Sequence, residues 1–216
     1  MNDRSHYRNA LGFVLEGRGE YVTYPSFVNR ICGFSNFYVP RSQTGGIGRI
    51  LKNPERYLSD LIKAYRPRTV IVAFDLKDAF EQTELQTCAE VKQYVLRKCE
   101  EWRAQALHNP KLQPLPEKIE VVLQVQKLES WLVVDTERLA RHASFPTPLP
   151  PHTSENVDEE VAEPEKWLQE HAEQRFNPKK PREIKKAFAM CRVEVIETGS
   201  RSFAKLAKEV RLALSV

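Results

Sequence analysis

Short apolar segments alternate along the chain with segments in which apolar residues recur every three or four positions. The apolar segments 11–15, 69–74 and 119–125 predict β-strands, and 34–39, which alternates more loosely, predicts a fourth. Segment 69–74, TVIVAF, is β-branched and apolar on both faces, which is typical of a central strand in a parallel sheet.

The segments between these strands carry the periodicity of amphipathic helices. They cover 21–32, a segment that starts at Asn53-Pro54 and ends before Pro67, then 84–107 and 128–140. The glycine-rich stretch RSQTGGIGR, at 41–49, predicts a flexible loop. Strand and helix alternate throughout, so the sequence predicts an α/β fold with a mostly parallel four-stranded sheet flanked by helices.

The chain changes character after residue 144. A proline-rich segment at 145–154, FPTPLPPHTS, is typical of a linker or surface loop, and helical patterns follow at 167–176, 181–190 and 202–214. We therefore expect an α/β domain over residues 1–144. Over 145–216 we expect a linker and a helical, basic C-terminal extension packed on that domain.

Composition narrows the class of protein. Of 216 residues 41% are hydrophobic, yet no apolar run approaches the roughly 18–20 residues that a membrane-spanning helix needs. The first ten residues lack the apolar core of a secretion signal. The four cysteines lie far apart without a CxxC pair, which favours reduced thiols and excludes a zinc-site pattern. We therefore expect a cytoplasmic protein that does not enter a membrane.

The net charge of +4 is mild, but the bases concentrate in the last quarter of the chain. Such a block can attract a phosphate backbone, which makes its members candidates for nucleic-acid binding. The alternative is a solvated helix face, partly neutralised by the acidic segment before it. The candidates in KKPREIKKAF are Lys179, Lys180, Arg182, Lys185 and Lys186.

Carboxylates follow three of the predicted strands. Glu16 ends the first, Asp75 ends the third and Glu129 follows the fourth, with Glu20 and Asp78 close behind the first two. Sites in open α/β sheets form beyond the carboxyl ends of the strands, so these acids should converge. Clustered carboxylates repel one another unless a cation lies between them, and hard oxygen ligands suit Mg²⁺ or Mn²⁺. The pattern predicts a metal site formed by all five acids.

Other interpretations remain open for each acid taken singly. Glu16 or Asp75 alone could favour the N-terminus of the next helix. Asp135 also follows the fourth strand and is a further acid near this edge. Gly17 and Gly19 permit a sharp turn and a close approach of a phosphate or metal, but a lone GxG without a following lysine is a weak phosphate motif.

These motifs together resemble the Toprim domain, which topoisomerases, primases and the overcoming-lysogenisation-defect (OLD) nucleases share. The resemblance lies in an apolar strand that ends in EGxxE and a later strand that ends in an acidic turn, here DLKD. QKLESWLVVD is similar to the "iEaWLLaD" signature of a bacterial family of Toprim-like domains of unknown function. KKPREIKKAF and SRSFAKLAKEV resemble that family's C-terminal pattern, so the resemblance covers about residues 11 to 210.

The resemblance implies a metal-dependent nuclease centre. Glu16 would match the carboxylate of strand one, as metal ligand or general base, and Glu20 the second acid of EGxxE. Asp75 would match the first Asp of the DxD turn, and Glu129 the Glu of the later signature. Relatives are often encoded near ATPases and several act in defence against phage, so the resemblance also implies a partner ATPase.

One position departs from the family pattern. A DxD turn needs an acid at position 77, where this chain has Lys77, and the next acid is Asp78. Asp78 could swing into the site, the second metal could be poorly held, or the centre could be inactive. Lys77 could also lie where a cation would, which favours binding without catalysis.

Two main hypotheses follow. The first is an endonuclease that cleaves phosphodiester bonds in DNA or RNA with Mg²⁺ or Mn²⁺, in which Lys185 or Lys186 stabilises the phosphate. The second is an inactive module that docks on or regulates a partner ATPase. A small-molecule phosphohydrolase or phosphotransferase that uses the same acidic edge ranks below both, and a homo-oligomer stays open.

Overall fold

Four parallel strands form one sheet in the computed structural model, which describes residues 9–151, 156–173 and 176–215. The strands are β1 Leu11–Leu15, β2 Arg41–Gln43, β3 Thr69–Asp75 and β4 Lys118–Gln124, in the order β2-β1-β3-β4. Leu15 lies level with Gln43 and Ala73, and Asp75 lies level with Gln124. The carboxyl ends of all four strands therefore meet at one edge, and the predicted fold class is confirmed.

Helices cover both faces of the sheet. Those that the described residues form are α1 Arg18–Ile31, α2 Ile47–Lys52, α3 Pro54–Tyr65, α4 Leu76–Glu81, α5 Cys88–Ala106, α6 Ser130–Val134, α7 Thr136–Leu139, α8 Val157–Glu160, α9 Pro164–Glu170, α10 Pro181–Met190, α11 Val193–Gly199 and α12 Arg201–Leu214. A 3₁₀ turn lies at Pro110–Leu112.

The alternation of side chains along the strands divides the core in two. Leu11, Phe13 and Leu15 of β1 point into a cluster shared with α1, α10 and α12, whereas Val14 points to α3 on the other face. This follows from the two-residue period of a strand, which sends successive side chains to opposite faces. Both faces are apolar, which explains why the strands read as continuous apolar runs.

The C-terminal helices belong to the same core as the sheet. Phe188 of α10 and Phe203 of α12 each pack edge-on against Phe27 of α1, at ring-centroid distances of 4.9 and 5.2 Å. The described residues after 144 therefore supply much of the cover of one sheet face. The boundary near residue 144 stays a prediction, and residues 152–155 of the proline-rich segment lie outside the described part, as do 1–8.

The strand predicted at 34–39 is wrong. The side chain of Asn29 on α1 both accepts a hydrogen bond from the backbone N–H of Phe37 and donates one to its carbonyl. These bonds hold the backbone against α1, so the second strand begins at Arg41, inside the predicted loop. Only residues 44–46 of that loop are irregular, because α2 begins at Ile47.

Three predicted helices also differ in extent. The helix expected over 167–176 is α9, which begins at Pro164 and ends at Glu170. The helix expected from residue 84 begins at Cys88, because Thr87 and Glu90 form a capping box there. The helix expected over 128–140 breaks at Asp135 into α6 and α7. None of the described helices has the length and apolarity that crossing a membrane requires.

Candidate functional site

Glu16 lies at the carboxyl end of β1, where its side chain is buried and held on both oxygens. Oε1 accepts a hydrogen bond from the backbone N–H of Ile47 at 3.1 Å, and Oε2 accepts one from the backbone N–H of Asp75 at 3.0 Å. Burial raises the pKa of Glu16 to about 7, and the nearby Glu20 and Asp78 act in the same direction. The carboxylate is thus fixed in position but costly to ionise.

Asp75 is the last residue of β3 and is also buried, at 9% relative exposure. Its Oδ1 is a buried atom with no hydrogen-bond partner among the described residues. Burial raises its pKa well above the usual range, and repulsion by Glu20 and Glu16 adds to this. A buried oxygen without a partner is rare in folded proteins, so this atom points to a ligand.

Glu20 lies in the first turn of α1, with its carboxylate turned back over the start of the helix. A Cβ on Gly17 would lie only 2.6 Å from Glu20 Oε2, so glycine at position 17 is what allows this close approach. Burial raises the pKa of Glu20 to about 7, with a further contribution from Glu129. The EGxxE motif therefore has a steric reason for its glycine.

Glu129 precedes α6 and faces the same space. Burial raises its pKa to about 7, and repulsion by Glu165 and Asp78 adds to the effect, whereas Lys127 opposes it. Glu16, Glu20, Asp75 and Glu129 line one cleft of about 200 Å³. Asp78, at the start of α4, is half-buried and outside the lining of this cleft, yet its charge acts on all four acids.

Two bases and a further acid that sequence reasoning did not connect complete the cleft. Lys127 Nζ lies 3.0 Å from Glu165 Oε1, and Lys179 Nζ lies 3.7 Å from Glu165 Oε2. Burial lowers the pKa of Lys127, but the hydrogen bond to Glu165 and the nearby acids outweigh this and raise it overall. Lys127 stands two residues before Glu129, a signal that was available, whereas nothing in the acidic run distinguished Glu165.

A buried hydrogen bond between β4 and α1 lies near the acids. Gln124, level with Asp75, donates through Nε2 to the Tyr24 hydroxyl at 2.6 Å, and its Oε1 is a second buried acceptor without a partner among the described residues. Burial raises the pKa of Tyr24 well above its usual range, and the charges of Glu20 and Asp75 add to this. The phenol thus stays neutral beneath the acids.

The basic candidates do not share one location. Lys179 lines the acidic cleft, whereas Lys180, Arg182 and Lys186 are exposed and are not part of its lining. Lys185 lines a separate cavity between α1 and the segment before β2. The structure therefore does not bring Lys185 to the acids, because the apolar side of α10 packs inward and turns Lys185 away.

Two other candidates are also placed apart from the cleft. The carboxylate of Asp135 forms a two-pronged pair with the guanidinium of Arg192, with 2.7 Å between Oδ1 and Nη2, and caps α7. Lys77 lines a neighbouring cavity together with Lys127 and Glu165, not the acidic cleft itself. Asp135 is thus a structural residue, and Lys77 does not occupy the space between the acids.

The donor chemistry of the cleft suits a hard divalent cation, and the partnerless Asp75 oxygen is where one would be needed. Within the described ranges, however, no group of three or more histidine, cysteine or carboxylate side chains is arranged to hold a metal ion. Mg²⁺ is usually bound through one or two carboxylates, with water and substrate phosphate completing its shell. The cleft fits that open mode of binding better than an all-protein cage.

Comparison with known proteins returns nothing. No protein-family model, curated protein or solved structure matches this chain. The Toprim resemblance therefore stays a prediction from the motifs, and the fold is consistent with it.

Proposed function

We propose that this protein is a divalent-metal-dependent nuclease that hydrolyses phosphodiester bonds in DNA or RNA. The observation that carries the proposal is the meeting of Glu16, Glu20, Asp75 and Glu129 in one cleft at the carboxyl edge of the sheet. Each has a pKa raised by burial, so the protein maintains a cluster that is unfavourable without a cation.

The five acids would have different roles. Asp75 and Glu20 would hold Mg²⁺ or Mn²⁺, and Glu16 and Asp78 would add negative charge around the ion. The bound ion would neutralise charge on the phosphate and lower the pKa of a bound water molecule. Glu129 is more exposed than Glu16, Glu20 and Asp75 and has a pKa of about 7, so it suits the transfer of a proton near neutral pH.

The bases at the rim would bind the substrate. Lys179 lines the cleft with an exposed side chain, and Lys127 lines it near the same Glu165 carboxylate, so both can reach a phosphate over the acids. We accordingly assign the phosphate-binding role, predicted from the sequence for Lys185 or Lys186, to Lys179 and Lys127. Lys180, Arg182 and Lys186 would contribute only through their charge.

The biological setting we propose is an effector of anti-phage defence that works with a partner ATPase in the bacterial cytoplasm. Its support is the motif resemblance. The free state of all four cysteines is compatible with a reducing compartment, and burial raises the thiol pKa values of Cys99 and Cys191 to about 12, which makes them inert.

A cleavage assay tests the proposed activity. Purified protein, alone and with the protein encoded beside it, is incubated with plasmid DNA and total RNA in Mg²⁺, Mn²⁺ or EDTA. We expect metal-dependent cleavage that Glu16→Gln and Asp75→Asn abolish and that Glu101→Gln, on the exposed side of α5, leaves intact. Equal cleavage by the wild type and both cleft variants would disprove the assignment, because a contaminating nuclease would behave in that way.

An inactive module that docks on an ATPase is the second candidate function. Two observations favour it: Lys77 replaces the second acid of the family's turn, and the described residues present no preformed three-ligand metal group. Calorimetry separates the two functions. Absence of Mn²⁺ binding and of cleavage in every pairing, together with binding to the neighbouring ATPase, would support the module and exclude the nuclease.

A further inference from the structure

A second cavity, of about 700 Å³, lies beside the acidic cleft along α1. We call it the aromatic groove. Its wall is formed by the middle of α1, by the segment 34–41 and by Lys185 of α10. The proposed nuclease chemistry does not use it, and its volume lies within the range of cavities that bind organic ligands.

The lining of the aromatic groove is positively charged. Arg30, Arg41 and Lys185 line it, and no carboxylate does so among the described residues. Glu194 and Asp135 act on the charge of Arg30, whereas Arg41 and Lys185 form no ion pair with a described residue. Arg30 and Arg41 are positioned instead by backbone carbonyls: Arg30 donates to those of Phe188 and Cys191, and Arg41 to those of Tyr21 and Val39. The groove is therefore fixed in shape and electropositive.

Aromatic rings provide the second feature of the groove. Phe34, Phe37 and Tyr38 line it, and Tyr38 is 59% exposed, which is unusual for a ring of this size. The ring of Tyr38 packs at 5.9 Å against that of Tyr65, and their hydroxyl oxygens lie 3.0 Å apart. Tyr38 is thus held in place while a face of its ring remains open to solvent.

The groove and the acidic cleft adjoin through the packed pair of α1 and α10. Residues 17–20 at the start of α1 line the cleft, and Val22 and Pro25 line the groove. On α10, Pro181 lines the cleft and Lys185 the groove, a separation of about 6 Å along a helix axis. A chain that leaves the cleft along these helices would enter the groove directly.

We infer that the aromatic groove binds single-stranded nucleic acid that extends from the acidic cleft, an inference that rests on the proposed function and names its substrate class. A base stacks on Tyr38, and Arg41 and Lys185 neutralise the neighbouring phosphates. Stacking on an exposed ring requires an unpaired base, since bases within a duplex already stack on each other. The combination of open ring and unpaired cations therefore favours single strands over duplexes.

Binding measured in EDTA tests this without cleavage. A fluorescein-labelled twelve-nucleotide oligo-dT and a duplex of equal length are titrated with the full-length protein, and anisotropy is followed at several salt concentrations. We expect Tyr38→Ala to weaken single-strand binding about tenfold and Tyr38→Phe to leave it unchanged. Lys185→Ala should weaken binding and lower the salt slope by about 0.7.

Lys186→Ala is the matched control, because Lys186 is also exposed and is adjacent on α10 but does not line the groove. Wild-type single-strand binding by Tyr38→Ala and Lys185→Ala would overturn the inference, as would a loss no greater than that of Lys186→Ala. Ultraviolet crosslinking of a 5-bromouracil oligonucleotide gives a readout on the unaltered chain. A crosslink within 34–41 supports the groove, and crosslinks confined to other segments contradict it.

The same variants separate this inference from the nuclease proposal. If Glu16→Gln loses cleavage and Tyr38→Ala binds single strands as the wild type does, the nuclease proposal is supported and the binding role of the groove is disproved. If Tyr38→Ala loses single-strand binding but neither the wild type nor any variant cleaves nucleic acid in Mg²⁺ or Mn²⁺, the binding role of the groove is supported and the nuclease proposal is disproved.

Discussion

The carboxylate of Glu16 accepts a hydrogen bond from the backbone N–H of Asp75, with 3.0 Å between Oε2 and the nitrogen. The acid that ends β1 is thereby tied to the acid that ends β3, and its other oxygen is tied to Ile47 at the start of α2. The carboxylate of Glu16 is therefore held at a fixed position relative to the backbone of Asp75. This pairing allows the roles of Glu16 in folding and in function to be measured separately.

Glu16→Ala should destabilise the protein by about 2 kcal/mol, because it leaves two buried N–H groups without an acceptor. Glu16→Gln keeps one acceptor oxygen and should lose less. The measurement is urea unfolding at pH 6. This is below the Glu16 pKa of about 7, so Glu16 is mostly protonated in the folded wild type and its removal relieves little charge repulsion. Asp78→Ala is the control, since Asp78 is half-buried without a hydrogen bond among the described residues, and it should cost no more than about 1 kcal/mol.

Mn²⁺ should raise the melting temperature of the wild type in a concentration-dependent manner, because a ligand that binds the folded state alone stabilises it. Asp75→Asn should melt higher than the wild type in EDTA, since it removes a buried acid repelled by its neighbours, and should lose the response to Mn²⁺. Differential scanning fluorimetry measures both effects. A wild-type response to Mn²⁺ in Asp75→Asn would place the ion elsewhere.

The pattern of apolar strands was sufficient to predict the acidic cleft, because Glu16 and Asp75 lie where two of those strands end. Residues 11–15 and 69–74 are apolar on both faces, so they had to be central strands, and parallel strands bring their carboxyl ends together. Glu16 and Asp75 followed from that geometry alone. The Gly17–Glu20 contact was compatible with the motif, but its steric cause is visible only in three dimensions.

The parts that sequence reasoning missed depend on how helices are oriented around their own axes. Ile184, Ala187 and Phe188 fix the inward side of α10, which points Lys185 into the groove and leaves Lys179, before the helix, beside the acids. Residues distant in sequence determine that orientation. The strand prediction for 34–39 was wrong for a similar reason. The side chain of Asn29 on α1 forms hydrogen bonds with the backbone of Phe37, in place of a neighbouring strand.

Glu20→Gln should change stability in a pH-dependent manner. The pKa of Glu20 is about 7 in the folded protein against 4.5 ordinarily, so between these values the folded state binds more protons than the unfolded state. The folded wild type therefore has its full stability below pH 4.5, where Glu20 is protonated in both states. It loses stability as the pH rises from 4.5 through 7. The wild type should therefore lose on the order of 3 kcal/mol relative to Glu20→Gln between pH 4.5 and pH 8.

Unfolding midpoints of the two proteins in EDTA, measured from pH 5 to pH 8, test this difference. Glu101→Gln serves as the control, because Glu101 is an exposed acid on α5 and its removal should give a difference that does not vary with pH. A constant difference between Glu20→Gln and the wild type would show that Glu20 ionises as readily as a surface carboxylate.

Gly17→Ala should impair the acidic cleft while leaving the fold intact. The backbone at Gly17 is extended, with φ of −115°, so alanine introduces no backbone strain there. Its methyl group would lie 2.6 Å from Glu20 Oε2, however, and must displace that carboxylate.

Gly19→Ala is the matched control, since its methyl group would meet only Leu128, at 3.2 Å, and alanine favours the helix by roughly 0.5–1 kcal/mol. We expect Gly17→Ala to lose most of the stabilisation by Mn²⁺ and Gly19→Ala to keep it. Equal responses in the two variants would show that the position of the Glu20 carboxylate does not matter for cation binding.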